Sequence, residues 1–223
     1  MTSGPLRLAF AGFALLGMAV TGAYLYDRSV RRPATSPAPP PPSAAREHAA
    51  THVPDRRPAF ALKDTAGRLH DAAEWDGKAL LVNFWATWCA PCRREIPLLN
   101  RIRREYAGRG VEVVGIAVDF PEDVIAYRQR FPIDYPLLVG EEDGLDAARA
   151  FGVEPPVFPF TAFTDSRGRV LTLHVGELHE AEVRAILKIV AEVEAGALTP
   201  LEARAAIRSA LAALPKAPSP PAG

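Results

Sequence analysis

The chain has 223 residues, 48% of them hydrophobic and 23% charged, a globular composition for one domain of ordinary size with extensions. Lys plus Arg and Asp plus Glu are each 26, so no basic excess exists of the kind a nucleic-acid binder carries. Two cysteines exclude a disulfide-stapled scaffold and a four-cysteine zinc or iron–sulfur site within the chain.

The first predicted element runs from Leu8 to Tyr26, without a formal charge. As a helix it would span about 28 Å, close to the hydrocarbon thickness of a bilayer. Thr21-Gly22-Ala23 is a poor cleavage site and no cysteine follows for lipidation, so residues 1–28 read as a retained transmembrane anchor. Arg7 lies before the run and Arg28, Arg31 and Arg32 after it, and counting arginines alone would put the bulk of the chain in the cytoplasm. Residues 29–58 contain Pro39 to Pro42 in a row among Ala, Ser and Thr, and read as an extended spacer with a reach of about 80 Å.

Residues 59–196 carry the pattern of a folded domain. Phe60 to Leu62 and Arg68 to His70 flank Asp64-Thr65-Ala66-Gly67, a hairpin signal. Ala79 to Trp85 and Val111 to Val118 are near-continuous apolar runs, predicted as strands buried on both faces. Between them, Pro91 to Tyr106 has helical spacing. Pro121 opens a second helix, Leu137 to Val139 is a short strand, and Leu145 to Phe151 a short helix. Phe160 to Thr164 and Val170 to Val175 bracket a turn, and Leu178 to Ala195 presents one apolar face. The order βαβαβαββα predicts an α/β fold with a central mixed sheet flanked by helices. In residues 197–223, Thr199-Pro200-Leu201-Glu202 is a capping box opening a further helix to about Leu214, which docks either on the domain or on a partner; a Pro-rich tail follows.

The chemistry is concentrated in Trp88-Cys89-Ala90-Pro91-Cys92. Two cysteines separated by two residues where a strand passes into a helix form a redox pair. Cys89 would sit at the helix N-terminus, where free N–H groups and the dipole favour a thiolate, and Cys92 one turn on can resolve a mixed disulfide. Arg93 and Arg94 add positive charge near the sulfur, or are simply solvated. A metal site is disfavoured, because His48, His52, His70, His174 and His179 are scattered rather than clustered. No metal and no cofactor beyond the Cys89–Cys92 disulfide is expected.

Val82-Asn83-Phe84-Trp85-Ala86-Thr87-Trp88-Cys89-Ala90-Pro91-Cys92-Arg93-Arg94-Glu95-Ile96-Pro97 resembles the active-site segment of the TlpA/ResA-like, membrane-tethered thioredoxin family. Similarity extends from about Phe60 to Ala195. It takes in Gly110 to Ile116 with Asp119, and the segment Pro159 to Gly168. The resemblance implies a thioredoxin-like fold and a cis-proline facing the cysteines. Phe158-Pro159 is the candidate, with Pro155 and Pro156 as competitors in a loop about two residues longer than usual. Trp88, Ala90, Pro91 and Phe158 would then meet a substrate peptide. Glu95 stands where ResA-like members keep an acid near the active site. It is either a buried proton partner of Cys92 or a surface residue paired with Arg94 or Arg101.

The family also implies a bacterial inner-membrane protein crossing once, with its catalytic domain in the periplasm, against the arginine count. It would reduce disulfides of client proteins, such as apocytochromes c or copper-site assembly proteins. A membrane electron donor of the DsbD/CcdA type would rereduce it. Two other functions remain open: a tethered Cu(I)-binding module using the same thiolates, and a DsbA-like oxidant. A peroxidase of the peroxiredoxin type needs Pro and Thr or Ser before the reactive cysteine, where this chain has Val82 and Ala86.

Overall fold

A computed structural model of the protein describes residues 52–215; the anchor, most of the spacer and residues 216–223 lie outside that range. Among the described residues no helix is long and apolar enough to cross a membrane.

Strands β1 (Ala61–Asp64) and β2 (Leu69–Asp71) form the expected hairpin, and a short 3-10 helix, Ala72–Trp75, follows with Asp71 and Glu74 as its capping box. Then come β3 (Ala79–Trp85), α1 (Ala90–Tyr106), β4 (Val111–Ala117), α2 (Pro121–Arg130), β5 (Leu137–Val139) and α3 (Glu142–Ala150). The chain closes with β6 (Phe160–Thr164), β7 (Val170–Val175), α4 (Glu180–Glu194) and α5 (Pro200–Ala213). The strands make one sheet in the order β2-β1-β5-β4-β3-β6-β7. Strands β3, β4 and β5 are parallel, while β6, β7 and the hairpin run antiparallel, so the sheet is mixed as the apolar runs imply.

Every residue of the central strand β3 is buried, because helices cover both of its faces. Its odd-numbered side chains face a core built with α1, α2, α4 and α5, and its even-numbered ones a core built with α3 and the 3-10 helix. Trp85 ends β3 at the same level as Ala117 ends β4, so the loops that follow both strands lie side by side. That end of the sheet carries the cysteines.

Two boundaries move. Residues 55–57, read from sequence as spacer, belong to the folded unit. Val170 N–H donates to Asp55 O at 3.1 Å, Arg57 N–H donates to Gly168 O at 2.7 Å, and Arg56 bridges Arg169. The Pro-rich composition hid this, since the contacts are made to a strand more than a hundred residues away. The C-terminal helix docks on the domain rather than waiting for a partner. Ala203 and Ile207 are buried in the core beside α4, and Arg204 donates to Val170 O at 2.8 Å. Arg204 also pairs with Asp55 at 3.2 Å, so α5 fastens the incoming chain to the edge strand β7.

Candidate active site

Cys89 is the N-cap of α1, and the Cys92 N–H points at its Sγ at 3.3 Å. The two sulfurs are joined in a disulfide with Cα atoms 5.3 Å apart, within the range such a bond requires. Cys92 is fully buried and Cys89 nearly so, while Trp88 beside them is 68% exposed. Ala90 is exposed and Pro91 half-buried, and with Trp88 they form the open rim of the pair. Pro91 fits within the first turn of α1, where the N–H groups have no partner within the helix.

The peptide bonds Phe158-Pro159 and Glu154-Pro155 are both cis, so the sequence had named the right proline and one of its competitors also takes that form. Phe158 and Trp88 meet edge to face with ring centroids 6.3 Å apart, which places residues 158–159 against the cysteine loop. Among the described residues the main-chain groups of Val157 and Phe158 have no hydrogen-bond partner.

Beneath the disulfide, Glu95 is only 2% exposed. Its pairing with Arg94 or Arg101, the surface alternative, is not found. Instead Asn83 Nδ2 donates to Oε1 at 2.8 Å and the Leu178 N–H donates to Oε2 at 2.8 Å. Loss of water around the charged form pushes the Glu95 carboxyl up to about 8, and the two donated hydrogen bonds oppose that rise without cancelling it. The neighbouring Glu177 charge pushes the same way as burial. Arg94 turns outward to Glu177 in a fork-like pair, Nε to Oε1 at 3.1 Å and Nε to Oε2 at 3.0 Å. Its charge is matched by Glu177 and so is neither aimed at the sulfur nor simply solvated. Glu177 lies 83 residues away, which no local pattern reveals.

One further residue orders the site and was not singled out from sequence. Asp119, two residues beyond the end of β4, accepts from the Thr87 N–H at 2.8 Å and the Thr87 hydroxyl at 2.5 Å. Its other oxygen accepts from the Phe120 N–H at 2.9 Å. The carboxylate thus ties the loop carrying Trp88 and Cys89 to the adjacent strand end, and Phe120 is left exposed beside it. The available signal was an acid closing an apolar strand run. Among the described residues no group of His, Cys, Asp and Glu is assembled to hold a metal.

A family model described as the AhpC/TSA family matches residues 53–172. The chain belongs to that family. Within it, the similarity is to thiol–disulfide oxidoreductases: thiol–disulfide oxidoreductase ResA of Geobacillus thermodenitrificans is 32% identical over 143 residues, covering 64% of this chain and 80% of the relative. Thioredoxin-like protein YneN of Bacillus subtilis is 30% identical, covering 59% and 76% respectively. A thiol:disulfide interchange protein of the thioredoxin family from Chlorobium tepidum superposes with a TM-score of 0.55 at 32% identity, over 63% of this chain and 99% of that one. The fold is therefore thioredoxin-like, and this AhpC/TSA member is an enzyme, a thiol–disulfide oxidoreductase of the ResA type.

Proposed function

We propose that this oxidoreductase is held by its N-terminal segment at the bacterial inner membrane, faces the periplasm, and reduces disulfides of client proteins. The observation that carries the reductive reading is the pairing of a helix-capping Cys89, beside the exposed Trp88, with a buried carboxyl, Glu95, that retains its proton near neutral pH.

In the reduced protein the Cys89 thiolate attacks one sulfur of a client disulfide. A bond forms between Cys89 and that sulfur, the client's second sulfur leaves with the electron pair, and it takes up a proton. Cys92, deprotonated, then attacks Cys89 Sγ; the Cys89–Cys92 disulfide forms and the first client sulfur leaves as a thiolate. Two electrons pass from the enzyme to the client. A carboxyl near 8 is matched to an ordinary thiol, so Glu95, one turn beyond Cys92 on α1, can exchange a proton with it at little cost in either direction. The free main-chain groups of Val157 and Phe158 would pair with an extended client segment, and the rims of Trp88, Ala90, Pro91 and Phe158 would touch its side chains. Apocytochromes c and copper-site assembly proteins are the proposed clients. A DsbD/CcdA-type membrane protein would return the electrons.

The test is trapping. With Cys92→Ser, incubation with a disulfide-bonded client gives a covalent complex through Cys89 that dithiothreitol releases, and Cys89→Ser gives none. A complex through neither residue, together with tight Cu(I) binding by the reduced wild type, would instead favour the metal-binding module.

A further inference from the structure

Three buried side-chain atoms have no hydrogen-bond partner among the described residues: Asn83 Oδ1, Tyr135 Oη and Trp85 Nε1. They belong to one layer. Asn83 and Trp85 are two residues apart on β3 and face the α1 side, and Tyr135 is buried in the same core. The sheet register brings two of them together. Asn83 stands opposite Gly115 of β4 on one side and Thr161 of β6 on the other. Tyr135 lies over Gly115, so close that a Cβ on that glycine would come 2.7 Å from Tyr135 Cε2. The absent side chain at position 115 is the space the tyrosine ring fills.

The Asn83 amide is oriented across this row. Both of its N–H bonds are spent, on Glu95 Oε1 at 2.8 Å and on Thr161 Oγ1 at 3.0 Å, toward α1 and β6. Its oxygen is the other branch of the planar group, away from the Thr161 side, and β4, whose Gly115 lies under Tyr135, is the other strand beside Asn83. A hydroxyl that can donate and an amide oxygen that must accept therefore share one buried patch, and leaving both unmet would cost about 1–3 kcal/mol apiece.

We infer that the Tyr135 hydroxyl donates, through one buried water, to Asn83 Oδ1, and so locks the amide with Nδ2 toward Glu95. Tyr135 is a positioning residue that acts through Asn83. It rests on the proposed proton-exchange role of Glu95 for its bearing on turnover, but not for its geometry. An amide can present either its oxygen or its nitrogen with almost the same shape. Held as it is, it donates to the carboxylate and favours the charged form. Unlocked, it can turn its oxygen to a protonated Glu95 and favour the neutral form. The other charged and titratable groups around this layer are Glu177, in the turn before α4, with its partner Arg94 on α1, and Tyr127 and Asp134 beside Tyr135; Cys92 is held in the disulfide.

The experiment is a carbon-13 NMR titration of Glu95 in the full-length oxidised protein labelled at the glutamate carboxyls, with Glu95→Gln to assign the signal. In Tyr135→Phe, which keeps the ring over Gly115, the Glu95 midpoint is expected to rise by about one pH unit, the equivalent of one lost hydrogen bond to a charged group. An unchanged or lowered midpoint overturns the inference. Should that variant fail to fold, the wild type decides. A slowly exchanging Tyr135 hydroxyl proton with a cross-relaxation peak to a long-lived water supports the lock, and its absence overturns it. Neither readout uses turnover. A Glu95→Gln enzyme with an unchanged pH–rate profile would refute the role of Glu95 while leaving the lock standing.

Discussion

Replacing Glu95 with glutamine should make the protein's stability less dependent on pH, with the sign fixed by burial. The folded carboxyl titrates at about 8 against 4.5 when unfolded. The folded state therefore holds the proton more tightly than the unfolded state. The stability this group allows is fully present below pH 4.5 and is lost as pH rises through 8. At about 1.36 kcal/mol per unit the whole span amounts to nearly 5 kcal/mol, of which about 3.5 kcal/mol falls between pH 5 and 8. Glutamine has no proton to lose. It also has only one acceptor for two donors, Asn83 Nδ2 and the Leu178 N–H, so it carries a penalty of about 1–3 kcal/mol that does not vary with pH. Urea unfolding of the oxidised wild type and Glu95→Gln at pH 5, 6, 7 and 8 separates the two effects, because every other titrating group cancels in the difference. The difference should move toward the variant by about 3.5 kcal/mol from pH 5 to 8. A difference constant within about 0.5 kcal/mol would refute the claim that Glu95 is protonated in the folded site.

Asp119→Ala removes three hydrogen bonds to a carboxylate. It should cost about 2–3 kcal/mol in urea unfolding and slow disulfide exchange with a small disulfide; stability and rate both at wild-type level would show that the clamp on Thr87 is idle. Ile207→Ala should cost about 2–4 kcal/mol, as a fully buried core truncation does. A loss below about 0.5 kcal/mol would mean α5 is an appendage of the domain and not part of its core.

The parts of this enzyme governed by local chemistry were readable in its sequence. The apolar runs 79–85 and 111–118 announced doubly covered strands, Thr199 with Glu202 announced a helix start, and the two cysteines at a strand-to-helix passage announced redox chemistry before any resemblance was used. What escaped depends on partners distant in sequence. Glu95 could not be placed inside or outside because its donors come from residues 12 and 83 positions away. Arg94 was read as either serving the sulfur or solvated, because Glu177 lies beyond any helical or hairpin spacing. Asp119 looked like the end of a strand until the parallel register set it beside Thr87. The docking of α5 was undecided for the same reason: its apolar stripe is visible, but the β7 edge that receives it is not.

The central claim is that Cys89 and Cys92 deliver electrons to clients, and the reduction potential of the pair, equilibrated against defined thiol–disulfide buffers, tests it most directly. The account expects a value near that of thioredoxin, about −270 mV, which requires a membrane reductase upstream. A value near about −120 mV would contradict it, making the enzyme an oxidant that takes electrons from its clients.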